Sequence, residues 1–497
     1  MGIAIDRQSF TTQDVKAFNE RLEKNLLVLR KMLQDPKFGA IAEQRHIGSE
    51  VELYLVDEQT HPAHCNQSIQ TRLNDERITL ELNRFNLEFN ATPVALSAKP
   101  LTEMAAELND ALAQINVAAA VHGCSALPIG ILPTIRQNDF GPHAMTDLPR
   151  YHALTQQLRT LRGGPFRVHI EGRDQLDVSM EDVTLEGANT SLQLHFQVTP
   201  SEFADYFNAL QLVTPLLVAF AANSPIAFGR CLWHETRIPL FKQAIDCRPY
   251  NPQHPVPARV NFGHAWVREG AYEIFAEAVR LYRPLLPVCS NEDSLEMYAS
   301  GKVPGLDELR LQQGSVWLWN RPVYDPSNGG HLRIEARSLP AGPSVVDMMA
   351  NIVLTLGLME LMKGDIAGLL CAMPFEYCER NFYRAAQLGL DAEISWPDIH
   401  QHEPGYRSCR SLLQSLLPQL PAALNRLGLA SSEYDPYLDL IEYRLSRGQT
   451  GAVWQLSAYQ SLSRRHSASK ALESMVLAYQ THSQNNLPVA QWPLPTE

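Results

Sequence analysis

The sequence lacks paired cysteines and an N-terminal secretion signal. Its eight cysteines are scattered through 497 residues, and no two of them form a C-x-x-C pair. This spacing suggests neither a zinc knuckle nor a redox motif, and it is typical of buried thiols in a reducing compartment. Met1–Phe10 contains no apolar run, which predicts that it is not a signal peptide. The expected location is therefore cytoplasmic.

Positive charge and long uninterrupted apolar runs are also scarce. Lysine and arginine total 42 against 54 for aspartate and glutamate, which gives a formal net charge of −12. A protein that binds nucleic acid needs a basic surface, so we expect no nucleic-acid partner. The most apolar stretches, Leu210–Phe228 and Ala350–Leu361, are interrupted by polar residues. They predict buried helices and no membrane partner.

The common nucleotide-binding and hydrolase motifs are absent. The sequence has no G-x-x-x-x-G-K-[ST], no G-x-G-x-x-G and no G-x-S-x-G, and it lacks the kinase combination of H-R-D with D-F-G. The missing G-x-S-x-G argues against a serine hydrolase. If this chain binds a nucleotide, metal ions and arginines must hold the phosphates in place of a glycine-rich turn.

Strict alternation of apolar and polar residues is what the sequence does have. It occurs in four segments: Ser49–Val56, Arg84–Asn90, Ser191–Val198 and His331–Leu339. Successive side chains of a strand point to opposite faces, so each segment predicts a strand with one apolar and one polar face. For a single strand, a polar face that merely meets water is a sufficient explanation. Together, however, these faces carry Glu, His, Arg, Asn and Gln without a single lysine, which is unusual for a solvated surface.

The segments between these strands predict the rest of the architecture. Periodicity and composition predict helices at residues 14–35, 101–120, 202–222 and 344–370. We therefore expect an α+β fold in which helices cover the outer face of a curved antiparallel sheet. Residues 1–397 are predicted to form this catalytic domain and residues 398–497 a helical C-terminal region. The tail after Asn485 contains three prolines, which favours an extended, loose end.

The polar faces predict a metal and phosphate site. Glu50 and Glu52 lie on one side of the same strand, and such close carboxylates need a cation or a proton between them. Glu88, Glu335 and His195 add further ligands, and this oxygen-rich set favours Mg²⁺ or Mn²⁺ over zinc. Arg333 and Arg337 share the face of Glu335 and suit phosphate or carboxylate oxygens. A glycosidase with paired carboxylates is an alternative, but it gives the arginines no role.

Several motifs resemble the glutamate–cysteine ligase family of carboxylate–amine ligases. They are G-S-E-V-E-L (Gly48–Leu53), L-E-F-N (Leu87–Asn90), I-L-P-T-I-R (Ile131–Arg136), M-T-D-L-P-R-Y (Met145–Tyr151), A-N-S-P (Ala222–Pro225), E-T-R (Glu235–Arg237) and R-I-E-A-R-S-L-P-A-G-P (Arg333–Pro343). Each motif is weak alone, but their order over residues 45–395 is specific. The resemblance implies a glutamine-synthetase-like catalytic fold. It also implies that ATP activates a carboxylate as an acyl phosphate, which an amine then displaces.

The resemblance also implies roles for single residues. Glu50, Glu52, Glu88 and, less securely, His195 would bind metal, and Glu335 would bridge the metal and the phosphates of ATP. The remaining roles fall to arginines. Arg337 and Arg333 would act on the transferring phosphoryl group, Arg237 would hold phosphate or the substrate carboxylate, and Arg150 would bind the α-carboxylate of the substrate.

Structural roles compete with some of these assignments. Arg237 could be a surface cation, Glu235 its salt-bridge partner, Arg150 a structural partner of Tyr151, and Asn223 the end of a helix. Trp317 and Trp319 could stack on adenine, although a place in the core is the stronger expectation.

Three functions follow from the residues and the resemblance. The first is a ligase with glutamate and cysteine, or another amine, as small-molecule partners. The second is an ATP:guanidino phosphotransferase, which would need a reactive cysteine, although none of the eight lies in a charged strand. The third is a degenerate homologue that binds without catalysis. The apolar C-terminal helical region would also suit formation of a homo-oligomer.

Overall fold

The computed structural model describes residues 5–41, 44–97, 99–250, 255–397 and 405–495. In these residues the helices are α1 (Thr12–Leu33), α2 (Asn66–Leu73), α3 (Pro100–Ala120), α4 (Pro149–Arg162), α5 (Phe203–Ala221), α6 (Arg237–Ala244), α7 (Ala271–Leu281), α8 (Ser294–Ala299), α9 (Asp307–Gln313), α10 (Val345–Lys363), α11 (Ile366–Cys371), α12 (Phe375–Leu388), α13 (Cys409–Leu416), α14 (Leu420–Arg426), α15 (Ser431–Arg447), α16 (Gly451–Leu462) and α17 (Ala468–Gln484).

The strands of the same residues are short apart from three long ones. They are β1 (His46–Asp57), β2 (Ile78–Leu80), β3 (Asn86–Asn90), β4 (Val94–Ala95), β5 (Cys124–Leu127), β6 (Phe166–Glu171), β7 (Gln175–Met180), β8 (Ser191–Val198), β9 (Ile226–Ala227), β10 (Arg230–Cys231), β11 (Val260–Asn261), β12 (Trp317–Leu318), β13 (Asn320–Asp325), β14 (His331–Pro340), β15 (Glu393–Trp396) and β16 (Gly405–Ser408).

One eight-stranded sheet organises the molecule. Its strand order is β13-β14-β8-β1-β3-β2, and β4 and β5 pair with the two ends of β1. All of these pairs are antiparallel, and the sheet is strongly curled into a half-barrel. The four predicted strands are therefore neighbours in one curved sheet, as expected. The second begins two residues later than predicted, because β3 starts at Asn86.

The apolar face of this sheet is covered by helices, which confirms the α+β prediction. Val51 and Phe89 of the sheet, Leu108 of α3 and Met348 of α10 surround one small internal void. Behind them, α5 packs against α10, α12 and β14. By length and composition alone α5 and α10 could cross a membrane, but 89% of the most apolar window of each is buried inside the protein. They are core helices, as the sequence predicts.

The C-terminal region consists mainly of helices, and it packs closely against the rest of the chain. Helices α14 and α15 lie against α10, and β16 pairs with β15 on the other side of residues 398–404. The division at residue 397 remains a prediction.

The expectation of a loose tail after Asn485 is wrong. Trp492 is 3% exposed and packs edge-to-face on Trp454 and Tyr479. The backbone N–H of Val489 donates to the carboxylate of Asp347 at the start of α10. The prolines in this segment correctly indicate that it is not a long helix. They do not reveal that a large aromatic side chain anchors it.

Candidate active site

Three carboxylates converge on the polar face of the sheet. Glu52 of β1 is the direct cross-strand partner of Glu88 of β3, and Glu81 immediately follows the neighbouring strand β2. One carboxylate oxygen from each of the three lies within 4.8 Å of the other two. Sequence analysis predicted Glu52 and Glu88 in this carboxylate triad but missed Glu81.

Hydrogen bonds from the sheet orient two members of the carboxylate triad. The backbone N–H of Ser191 donates to Glu52 at 2.7 Å, and the Gln193 amide donates to it at 3.1 Å. Glu88 accepts from the Thr79 hydroxyl at 2.9 Å and from the Asn90 amide at 3.0 Å. These bonds leave further lone pairs on each carboxylate, so the triad is positioned by the protein and still able to bind a cation.

A second group lies on the neighbouring strands. Glu50 Oε1 lies 2.9 Å from Nε2 of His195 on β8, and His195 is the cross-strand partner of Glu335 on β14. Arg321 of β13 is the cross-strand partner of Glu335 and donates to it from Nε at 2.6 Å. The Nε atom of Arg337 lies 3.1 Å from the other oxygen of Glu335. Glu335 is fully buried between two arginines.

The structure excludes Arg237 as a surface cation. Its side chain is 2% exposed, and Nη1 donates to the Ser338 carbonyl at 3.1 Å and lies 3.4 Å from Glu235. Glu235 is the salt-bridge partner that the sequence predicts, and Ser224 and the backbone of Asn223 also donate to it. The charge of Arg237 acts on Glu52 and Arg337, which places it beside the site.

Glycine 130 allows Arg237 to lie so close to the sheet. A Cβ atom at that position would lie 3.0 Å from Cδ of Arg237 and 3.1 Å from side-chain atoms of Ser224 and Pro340. Cβ contacts this short force the neighbours apart, so a side chain there would displace the guanidinium. Close packing therefore explains why residue 130 is a glycine.

Other predicted residues lie apart from the two carboxylate groups. Arg333 donates from Nη1 to Asp325 at 2.9 Å, towards the outer strand β13. Arg150 begins α4 next to Tyr151, and its side chain has no hydrogen bond or ion pair among the described residues. Helix α5 ends at Ala221, two residues before Asn223, whose buried amide donates to the Ala341 carbonyl and the Tyr479 hydroxyl. Trp319 is buried against Phe241 and Phe382. The structure thus assigns Trp319 to the core.

Burial and neighbouring charges spread the pKa values of the site carboxylates widely. Burial, assisted by Glu50 and Glu52, raises the pKa of Glu88 to about 8. Burial also raises the pKa of Glu81 and Glu52. Burial opposes ionisation of Glu50 as well, yet His195 and the nearby arginines lower its pKa to about 2. The pKa of Glu335 is likewise lowered, because Arg321 and Arg337 outweigh its burial.

A hard divalent cation fits this donor set. Mg²⁺ and Mn²⁺ prefer carboxylate oxygens, and the triad together with Glu50 and His195 offers four carboxylates and one imidazole. Several buried polar atoms around the site have no hydrogen-bond partner among the residues that the structure describes, and they include His195 Nδ1, Gln193 Oε1, Arg237 Nε and Arg337 Nη1. Unpaired buried donors are costly, so the two arginine nitrogens suit an anionic ligand such as a phosphate.

Sequence analysis missed three charged residues of the site. Glu81 follows a strand of three residues, whose alternation I-T-L-E is too brief to stand out, and the segment N-R-P-V-Y-D around Arg321 has its pattern blurred by a proline and a valine. Glu186 lies in a single 3₁₀ turn at Thr184–Ala188, and its charge acts on Glu52 and Arg337. Burial and Glu52 raise its pKa to about 8. A turn residue of this kind carries no periodic signal.

A separate cleft of 580 Å³ lies between α6, α12 and the segment before β11. Its charged lining comes from Lys242, Arg248, Glu376 and Glu379. None of the sheet carboxylates lines it. Chemistry with phosphates needs the carboxylates and arginines of the sheet, so we assign the candidate active site to the polar face of the sheet and not to this cleft.

Comparison with known proteins identifies the family of the chain and agrees with its fold. The model of "Glutamate-cysteine ligase family 2 (GCS2)" matches residues 46–475. A crystal structure of glutamate–cysteine ligase from Francisella tularensis in complex with AMP is similar over 92% of this chain and 91% of that one, with 12% identity and a TM-score of 0.54. A bifunctional glutathione synthetase from Pasteurella multocida is similar over 93% of this chain and 54% of its own length, with 11% identity and a TM-score of 0.49. No curated protein matches the sequence.

Proposed function

Because the chain belongs to glutamate–cysteine ligase family 2 and is an ATP-dependent carboxylate–amine ligase, we propose glutamate as its carboxylate donor and cysteine as its amine acceptor. The single observation that carries the site assignment is the carboxylate triad on the polar face of the sheet, with Arg337 of β14 on that face and Arg237 of α6 buried within electrostatic reach of Glu52. This face is the part of the described structure where a cation and a triphosphate would find complementary groups.

The residues that would hold the cation are Glu52, Glu81 and Glu88, with Glu50 and His195 beside them. Mg²⁺ or Mn²⁺ bound there would screen the negative charge of the ATP phosphates. Use of a nucleotide is supported by the AMP in the Francisella tularensis structure, which has a similar fold. ATP and Mg²⁺ are accordingly the proposed cofactors.

The arginines carry the electrostatic part of the proposed reaction. A carboxylate oxygen of the donor attacks the γ-phosphorus of ATP, and ADP leaves, so two anions must approach each other. Arg337 is 14% exposed, and its Nη1 has no protein partner among the described residues, so it can donate to the transferring phosphoryl group. Arg237 is fixed behind it by Glu235 and Ser338 and adds positive charge. The amine then attacks the acyl carbon, and phosphate leaves.

The proposed mechanism is tested by isotope transfer. The full-length protein is incubated with ATP, Mg²⁺, cysteine and glutamate that carries ¹⁸O in its side-chain carboxylate. An acyl-phosphate intermediate transfers one labelled oxygen to the released phosphate, which mass spectrometry detects. The Glu103→Gln variant changes an exposed carboxylate of α3 and is the matched control that should transfer label normally.

Other outcomes separate this proposal from the alternatives. Unlabelled phosphate released with ligated product would exclude the acyl phosphate. When a guanidino compound replaces cysteine, formation of ADP and a phosphorylated guanidino product without release of phosphate would indicate a phosphotransferase instead. A panel of other amines in the same assay, with product mass as the readout, tests cysteine as acceptor. A cytoplasmic location and small-molecule partners belong to the same proposal.

A further inference from the structure

Two cysteines that are far apart in sequence touch each other beside the end of β1. The Sγ atoms of Cys65 and Cys124 lie 2.9 Å apart, although 59 positions separate the residues. Cys124 begins β5 and is the cross-strand partner of Asp57, the last residue of β1. Cys65 is the N-cap of α2. Both are present as free thiols.

The backbone around both thiols is firmly held. Sγ of Cys124 donates to the carbonyl of Ala119 at the end of α3, at 3.3 Å. Next to Cys65, the Asn66 side chain donates to the carbonyls of Asn83 and Asn86 and to the hydroxyl of Thr146. The two sulfur atoms are therefore held together by their surroundings and do not meet by chance at a mobile surface.

We propose that Cys65 and Cys124 form a reversible modification site that takes up low-molecular-weight disulfides and closes to an intramolecular disulfide. A disulfide bond is about 2.0 Å long, so closure shortens the sulfur–sulfur separation by only about 0.9 Å. Rotation of the two side chains supplies a change of this size. The inference is independent of the proposed ligase reaction.

The exchange proceeds in two balanced steps. The Cys65 thiolate, from the more exposed of the two residues, attacks one sulfur of the external disulfide, forms a mixed disulfide and releases the first thiol. The Cys124 thiolate then attacks Sγ of Cys65 and releases the second thiol. The protein loses two protons and two electrons, and the external disulfide gains them.

The arrangement of the two thiols favours the second step. Cys124 is only 7% exposed, so an external disulfide reaches Cys65 more easily than Cys124. In the reduced protein the hydrogen bond between the thiols raises the pKa of Cys65 and lowers that of Cys124, so loss of the Cys65 proton limits the first step, whereas in the mixed disulfide Cys124 already lies against Sγ of Cys65. The sulfur contact makes that attack intramolecular and fast.

The site is tested on the full-length protein with bis(2-hydroxyethyl) disulfide as the probe. After incubation, free thiols are alkylated and peptides are analysed without reduction. We expect one cross-linked pair of peptides that contain Cys65 and Cys124, and its disappearance after reduction. The exposed Cys371 is the internal control, because it has no cysteine partner among the described residues and should form only a mixed disulfide.

Variants and stability provide the second measurement. In Cys65→Ser no cross-link forms, and Cys124 is recovered as a thiol or a mixed disulfide. Closing a loop of 59 residues should raise the melting temperature of the oxidised protein by roughly 2–5 °C, and oxidised Cys65→Ser should show no such rise.

Because closure moves the sulfur atoms by less than the length of a bond, we also expect oxidation to leave ligation within about twofold. Recovery of Cys65 and Cys124 as alkylated thiols, while Cys371 carries the probe, would overturn the proposal. So would a cross-link in which either cysteine pairs with a different partner.

Discussion

The carboxylate triad of Glu52, Glu81 and Glu88 can be fully ionised only when a cation screens the repulsion between its members. Their oxygens lie within 4.8 Å of one another, and like charges at that separation repel strongly in a partly buried site. We therefore predict that Glu52→Gln or Glu81→Gln lowers kcat at least about a hundredfold, because each removes one ligand of the cation that screens ATP. Steady-state turnover at saturating Mg²⁺ measures the loss.

Glu103→Gln is again the matched control, since it removes an exposed carboxylate from the same chain and should leave turnover unchanged. The circular dichroism of all three variants must match that of the wild type. Turnover close to wild type in a folded Glu81→Gln protein would remove Glu81 from the cation site and leave Glu50, which faces the same sheet surface, as the alternative ligand.

Strand β14 carries two arginines, Arg333 and Arg337, that differ in their surroundings. Arg337 lies against Glu335 and has an unpartnered terminal Nη1 among the described residues, whereas Arg333 leaves only Nε unpartnered and donates from Nη1 to Asp325, away from the site carboxylates. We predict that Arg337→Lys lowers kcat at least about tenfold with a smaller change in the KM for ATP, because lysine keeps the charge but loses the planar fork. Arg333→Lys, measured in parallel, should change kcat about threefold at most. Equal losses in both variants would contradict this distinction.

The residues that sequence analysis found and missed differ in a simple physical way. Glu50, Glu52 and Glu88 were found because strands of five or more residues show a clear alternation of faces. Glu81 and Arg321 were missed because β2 has three residues and β13 contains a proline and a valine that blur its pattern. Glu186 lies in a turn, where no periodicity places a side chain. Only the fold brings these residues to the site.

At the scale of elements, the connection from β14 to α10 depends on a glycine. Gly342 has φ of +75°, and a Cβ atom there would lie 2.1 Å from the carbonyl oxygen of Pro128. We predict that Gly342→Ala lowers the free energy of unfolding by roughly 2–4 kcal/mol, since both the backbone conformation and the backbone contact oppose a side chain. Chemical denaturation of the purified proteins measures the difference.

Gly405 is the control for that measurement. A Cβ atom at Gly405 would meet no atom of the described residues within 4 Å, and its φ is not in the left-handed region. Gly405→Ala should therefore change the free energy of unfolding by about 0.5 kcal/mol or less. If the two variants are equally stable, the approach of Gly342 to Pro128 is not a constraint on the fold.

The long elements were predictable from sequence and the terminal packing was not. Helices α1, α3, α5 and α10 and the strands β1, β8 and β14 follow from periodicity and fall close to their predicted ranges. The tail does not, because a single buried Trp492 and one hydrogen bond to Asp347 fix it. Such long-range contacts leave no local pattern in the sequence, and the prolines alone therefore predict a loose end.

For the whole molecule, the buried carboxylates link stability to pH and to divalent metal. The pKa of Glu88 and that of Glu186 are about 8, whereas an unfolded glutamate titrates near 4.5. Between these values the folded protein binds more protons than the unfolded chain. The stability contributed by these groups is fully present below about pH 4.5 and is lost as the pH rises through about 8.

We therefore predict that, in the presence of a chelator, the melting temperature falls as the pH is raised from about 6 to about 9. Mg²⁺ should oppose this fall, and its stabilising effect should grow with pH, because a bound cation replaces the protons on the carboxylates. Thermal shift measurements across pH, with chelator or with Mg²⁺, test both statements. Glu88→Gln keeps a neutral side chain at every pH and should flatten the slope in chelator. A wild-type slope that Glu88→Gln leaves unchanged would mean that other groups set the pH dependence.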